Sequence, residues 1–170
     1  DAGRRAAGGG DGRRIETCVE TLEGKIVAIT ANDERNRRGI RLPLMVQLTI
    51  MDANQKMLPG TDIPTALVSL EEIDEIDVIG MNCGVGPDLM LSSMAHLSQT
   101  TNKLLSVLPN AGLPEMRDGE TYFPMKAVPM ADALEQFVNE FGVNIVGGCC
   151  GTTAEHLKAV CDRIHGHKTV

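Results

Sequence analysis

Three cysteines and an asparagine occupy corresponding places along this chain. Cys83 follows the run Ile76 to Asn82 (IDVIGMN), and Asn110 follows KLLSVL through Pro109. The vicinal pair Cys149 and Cys150 follows VNIVGG. Thiolates are soft anionic donors, and three on one centre suit zinc. Zinc takes sulfur at ~2.3 Å and, in catalytic sites, keeps its fourth position for water or substrate. Adjacent cysteines are not a structural-zinc spacing, where about two to four residues stand between the two cysteines. Both can turn inward only on a permissive backbone, and Gly147, Gly148 and Gly151 flank this pair. Read alone, the same residues fit ordinary buried thiols equally well, since cysteine is among the most often buried residue types.

For these side chains to meet, the runs before them must be parallel strands ending at one edge. Adjacent strands lie ~4.8 Å apart, so residues just past their ends can converge on one ion. The sequence supplies such strands. LPLMVQLTI (42–50), IDVIGMN (76–82), KLLSVL (103–108) and VNIV (143–146) are near-continuous apolar runs, the mark of strands buried on both faces. Ile15 and its neighbours read as the end of a fifth.

Helical patterns lie between the strands. The first is centred on Leu22, Ile26 and Ile29 and stops near Gly39. The second is capped by Asp62, with Pro64 in its first turn and Ala66, Leu67, Leu70 and Ile73 on one face. Met90, Met94 and Leu97 mark a third, and Met130, Leu134, Phe137, Val138 and Phe141 a fourth. Thr152-Thr153-Ala154-Glu155 opens the last with a capping-box pattern, and Gly166 is its expected stop. Its stripe of Leu157, Val160, Cys161 and Ile164 points Cys161 to the core. His96 and His156 are expected to face solvent from helices, and His165 and His167 to lie in a polar tail. No histidine is therefore a candidate ligand. Cys18 is read at a helix start, apart from the trio. Gln47 and Thr49, polar groups in an apolar strand, are candidates for packing inside a barrel.

The order (β)αβαβαβαβα implies a parallel sheet with helices outside it. Catalytic groups of such folds collect at the C-terminal strand ends. A complete (β/α)8 barrel takes ~250 residues, and this chain has 170. The expected fold class is α/β, a partial (β/α)8 barrel with helices on its outer face only. Residues 1–14, rich in Gly, Ala and Arg without periodicity, read as a poorly ordered leader, and 15–170 as the domain.

Composition narrows the function. A formal net charge of −7 argues against nucleic acid as a partner, and an aromatic content of 2% against base-stacking platforms. No apolar run approaches the ~18–20 residues that span a bilayer. Asp1-Ala2-Gly3-Arg4-Arg5 lacks the apolar stretch of a signal peptide. Five cysteines without such a signal point to a reducing, cytoplasmic setting and to metal or catalytic use rather than disulfides.

The segments IETC (15–18), LPLMVQLTI (42–50), GTD (60–62), IGMNCGVGP (79–87), LPNAGLP (108–114) and FGVNIVGGCCGTT (141–153) are spread over nearly the whole chain. Together they resemble the homocysteine-binding modules of cobalamin-dependent methionine synthases. They are similar, more distantly, to the wider homocysteine S-methyltransferase family. The resemblance implies a (β/α)8 barrel of which this chain carries about strands four to eight. It implies Cys83, Cys149 and Cys150 as zinc ligands, and Asn110 as a fourth ligand when no substrate is bound. Glu16 would bind the homocysteine ammonium, since a buried carboxylate needs a cation and the substrate brings one. Read alone, Glu16 is equally a helix-start acid favourable to the dipole. Asn82 would touch substrate or orient the loop carrying Cys83.

The implied reaction is zinc-dependent methyl transfer to the thiol of homocysteine, forming methionine. Methylcobalamin on another module would be the donor, and the folate and cobalamin modules the partners, with no membrane and no nucleic acid involved. Two alternatives stay open: S-methylmethionine or a betaine as donor, and an inactive zinc-binding fragment. The first three βα units of the family, with a glycine-rich substrate loop, have no counterpart in this sequence. The lead-in Gly9 to Arg14 departs from the apolar strand that the family places there.

Overall fold

The computed structural model describes residues 11–51 and 53–165. Five strands form one parallel sheet: β1 (Arg13–Cys18), β2 (Leu44–Leu48), β3 (Val78–Asn82), β4 (Leu104–Leu108) and β7 (Ile145–Val146), in the order β1-β2-β3-β4-β7. A short antiparallel hairpin, β5 (Glu115–Arg117) with β6 (Glu120–Tyr122), interrupts the series. The helices are α1 (Thr21–Arg38), α2 (Ile63–Glu71), α3 (Pro87–Thr100), α4 (Ala127–Phe141) and α5 (Ala154–Ile164). None of them is long and apolar enough to cross a membrane.

The strand order never reverses. Each right-handed crossover therefore steps the same way and leaves its helix on the same face. A doubly wound sheet needs a reversal point, so this is an open partial barrel, as the sequence predicts. Successive helices pack side by side along its outside. Leu44, Val46, Leu48, Ile79, Met81, Leu105 and Val107 point outward to the helices and are buried. The opposite, barrel-interior face carries Gln47, whose amide donates to Ser106 across β3.

Local signals account for most element ends. The Asp62 carboxylate accepts the Thr65 N–H at 2.9 Å, capping α2 as expected. Met90, Met94 and Leu97 of α3, and Met130, Leu134, Phe137 and Val138 of α4, all face the core.

Four expectations change. Arg13 and Arg14, expected in the leader, belong to β1, and residues 1–10 lie outside the described residues. Two arginines are tolerated there because β1 is an edge strand: Arg13 reaches the Ala31 carbonyl and Arg14 the Glu16 carboxylate. Second, Leu22, Ile26 and Ile29 are exposed, and α1 packs through Gly24, Ala28 and Ala31, small residues that bring the helix close to the sheet. Third, Cys161 is exposed rather than in the core, and fourth, His156 is buried rather than solvent-facing. Helix α5 is turned so that His156 and Val160 face inward and Leu157 faces out. His96 is half-buried on α3, and His165 is exposed just past α5. Gly166 and His167 lie outside the described residues.

Candidate metal centre

The loops leaving β3, β4 and β7 meet at one rim. The Sγ atoms of Cys83, Cys149 and Cys150 all lie within 4.8 Å of one another, and those of Cys83 and Cys150 are 3.6 Å apart. Three sulfurs on a tetrahedral ion at ~2.3 Å would stand a little under 4 Å apart, so the donor set and its spacing both fit zinc. Among the described residues this is the group of cysteines, histidines or acids arranged to hold a metal. Cys18 ends β1 rather than starting a helix, is fully buried and lies outside the group, as does Cys161.

Local backbone makes the convergence possible. Cys83 has φ 58°, a left-handed conformation uncommon for a residue with a Cβ. Its N–H donates to the Leu108 carbonyl at 3.1 Å, and its carbonyl accepts from Val85 at 2.9 Å. The next residue must be glycine: Gly84 has φ 74°, and a Cβ there would lie 1.9 Å from the Ile50 carbonyl oxygen. At the vicinal pair, Cys149 N–H donates to the Pro109 carbonyl at 2.8 Å. Cys150 N–H donates to the Asn110 Oδ1 at 3.0 Å. Gly151 then turns with φ 76°, under the ring of Phe123.

Electrostatics set the state of the thiols. Burial, then hydrogen bonding and charge interaction with Cys83, push the Cys149 thiol up to about 12. Cys150 is raised by burial and Cys83 in the same way. Thiolates this close repel one another, so they ionise together only against a cation. The Cys18 thiol is pushed up to about 11 by burial and by Glu23, with no second thiol beside it.

The remaining candidates surround this trio. Asn110 is buried, its Oδ1 held on the Cys150 amide. An amide oxygen has two lone pairs, so that bond leaves one for an ion. Asn82 is buried at the end of β3, and its Oδ1 accepts the Thr17 N–H at 2.8 Å. Its Nδ2 donates to the Thr17 hydroxyl at 3.2 Å and lies 3.9 Å from the Cys149 sulfur. The Thr49 hydroxyl donates to the Asn82 carbonyl at 2.9 Å. Glu16 is exposed at the end of β1, its carboxylate 3.1 Å from the Arg14 guanidinium.

Sequence reasoning missed two residues here. Thr17, at φ 59°, is a β-branched residue in a left-handed conformation, held by Asn82. His156 holds the start of α5: the capping box falls at Thr153…His156, one residue later than the expected Thr152…Glu155 pattern, because the N-cap is Thr153.

A family model described as homocysteine S-methyltransferase matches residues 3–164. The chain is 37% identical over 153 residues to the methionine synthases of Mycobacterium leprae (strain TN) and Mycobacterium tuberculosis (strain ATCC 25618 / H37Rv). Each match takes in 90% of this chain but only 12% and 13% of those proteins, so the chain spans about an eighth of their length. A solved structure, the apo form of the homocysteine methyltransferase MmuM from Escherichia coli, superposes with a TM-score of 0.69 at 22% identity. It covers 93% of this chain and 51% of that one, so the likeness spans about half of that structure.

Proposed function

Because this chain belongs to the homocysteine S-methyltransferase family, we propose that it forms the zinc- and homocysteine-binding half of a barrel that methylates the homocysteine thiol to give methionine. The observation carrying this reading is the meeting of the Cys83, Cys149 and Cys150 sulfurs at the strand-end rim. Those three residues would hold zinc, with Asn110 in the fourth place until substrate arrives. When bound, zinc supplies a positive centre on which a thiol loses its proton near neutral pH and stays placed for attack.

The chain's own residues supply the rest. With zinc held by the three anionic cysteine sulfurs, a substrate sulfur placed beside them would stay electron-rich. The Glu16 carboxylate receives the substrate ammonium; it has enough lone pairs to keep Arg14 as well. Asn82 holds the end of β1 against Cys149, fixing the distance between the ammonium site and the sulfur site. The thiol proton leaves to solvent. The sulfur then forms its bond to the methyl carbon as the carbon–donor bond breaks, the electron pair staying with the donor. The resemblance to methionine synthases supports methylcobalamin, carried on another module, as that donor, with folate and cobalamin modules as partners and a cytoplasmic setting.

The test is metal analysis of purified protein with and without homocysteine. One zinc per chain is expected, with homocysteine shifting the sulfur-to-metal absorption of the cobalt-substituted form. Absence of metal after loading would overturn the site. Metal binding with no response to homocysteine would instead favour an inert zinc-binding half, a reading that the open β1 and β7 edges support.

A further inference from the structure

The turn carrying the vicinal cysteines is pinned unequally at its two ends. At its start, the backbone of Cys149 and Cys150 bonds to Pro109, Asn110 and Ala111. Within it, Thr152 N–H reaches the Cys149 carbonyl at 3.2 Å. Cys150 and Gly151 are exposed. The far end enters α5 at Thr153, whose N–H is one of the donors that a helix start leaves without a helical partner.

His156 meets that donor. Its Nδ1 lies 3.2 Å from the Thr153 N–H and 2.8 Å from the Thr153 hydroxyl. Its Nε2 lies 3.0 Å from the Met125 carbonyl. A carbonyl only accepts, so Nε2 carries the proton and Nδ1 accepts from Thr153. Met125 in turn donates its N–H to the Ala111 carbonyl at 3.0 Å, and Ala111 donates to the Cys150 carbonyl at 2.9 Å. The bonds make a closed ring, from Cys150 through Ala111, Met125 and His156 to Thr153 and back along the turn.

We propose that His156 is the positioning residue that holds the Cys149–Cys150 turn in its metal-receiving shape, by tying the start of α5 to the Met125 carbonyl. A cap alone would need only the Nδ1 side. The Nε2 side is what connects the cap to the chain segment fastened to Cys150. This inference rests on the metal-centre reading above, and its test separates the two.

Three variants divide the roles. His156→Asn keeps an acceptor where Nδ1 stands and loses the bond to Met125. His156→Gln places a donor where Nε2 stands. Val160→Ala weakens the core contact of the same helix without touching the ring. Zinc release to excess chromophoric chelator is followed beside the melting temperature of the metal-free protein. In the metal-free protein, the alkylation rates of Cys149 and Cys150 are read by mass spectrometry. His156→Asn should release zinc ~10-fold faster, the usual scale for losing a group that supports a ligand, and should alkylate faster. His156→Gln should recover most of both. Val160→Ala should lower the melting temperature yet release zinc and alkylate like the parent. Parent-like zinc release and alkylation in His156→Asn would overturn the proposal, as would faster release in Val160→Ala at an equal loss of melting temperature. A parent chain that takes up no zinc sinks the metal-centre reading, and the alkylation rates then decide the positioning role alone.

Discussion

At the foot of the sheet, a buried arginine finds its partners within the chain; at the rim, three thiols have chiefly one another. The foot holds a cavity of about 460 Å³ lined by α1 and by the segments entering β2 and β3. There the buried Arg35 donates to the Glu75 carbonyl at 3.2 Å and lies 3.9 Å from the Asp77 carboxylate. Asp77 also accepts the Leu44 N–H at 2.8 Å, and Asn32 donates to Glu75 at 2.9 Å. At the rim, burial and then Cys83 raise the cost of ionising both Cys149 and Cys150, and Cys83 and Thr17 sit in left-handed backbone. The Arg35 charge of the foot is already partnered, whereas the rim thiols can ionise together only against a cation. The end with the cavity is thus the less chemical of the two.

The largest expected effect breaks the rim without breaking the fold. Cys83→Ala, Cys149→Ala or Cys150→Ala should each take zinc content from one per chain to near none, measured by plasma mass spectrometry. Their denaturation midpoints should scarcely move, and Cys161→Ala should keep its metal. Full zinc in any of the three rim variants would erase the contrast.

Arg35→Met should do the reverse. It leaves Asp77 without its cation, so a loss of about 2 kcal/mol is expected in urea denaturation. Zinc content should be unchanged.

A pH series sharpens the comparison further. The Cys149 thiol is raised from 9.0 to about 12 in the folded chain. Its contribution to metal-free stability is therefore fully present below pH 9 and lost as pH rises towards 12. Zinc-loaded protein should lack that loss, because its sulfurs are already ionised. Acidification should instead weaken zinc binding, since protons compete for the same sulfurs. Paired melts with and without metal from pH 8 to pH 11 check both signs.

The smallest effect is expected on the exposed face of α1. Bonds from Arg37 and Arg38 lower the Glu34 carboxyl from 4.5 to about 2. Any contribution to stability is present above pH 4.5 and lost as pH falls through about 2. Solvent screens this surface cluster, so Glu34→Gln should leave the melting temperature at neutral pH almost unchanged. A marked drop would mean that surface charge rather than the buried foot supports this end.

Much of this was legible beforehand, for identifiable reasons. Strands buried on both faces must be apolar throughout, so β2, β3 and β4 stood out, and the residues after them marked the rim. Asp62 and Pro64 declared the start of α2 through bonds made within four residues. The β5–β6 hairpin was overlooked, although Asp118-Gly119, both at positive φ, is a turn signal between its strands. The turn of α5 was misjudged because helical spacing defines a stripe but not which stripe a neighbour covers. Leu157 and Cys161 are exposed, Val160 keeps its expected place in the core, and His156 joins it there.

The sequence by itself thus determined the elements, their parallel order and the identity of the three sulfurs, because those follow from local hydrogen bonding, side-chain period and the family's motifs. Tertiary structure alone decided that Asn82 clasps Thr17 and that His156 closes a ring through Met125 and Ala111. Those bonds join residues brought together by crossovers. A crossover is directed by burial and chain handedness across the whole sheet, and no short stretch of sequence encodes it.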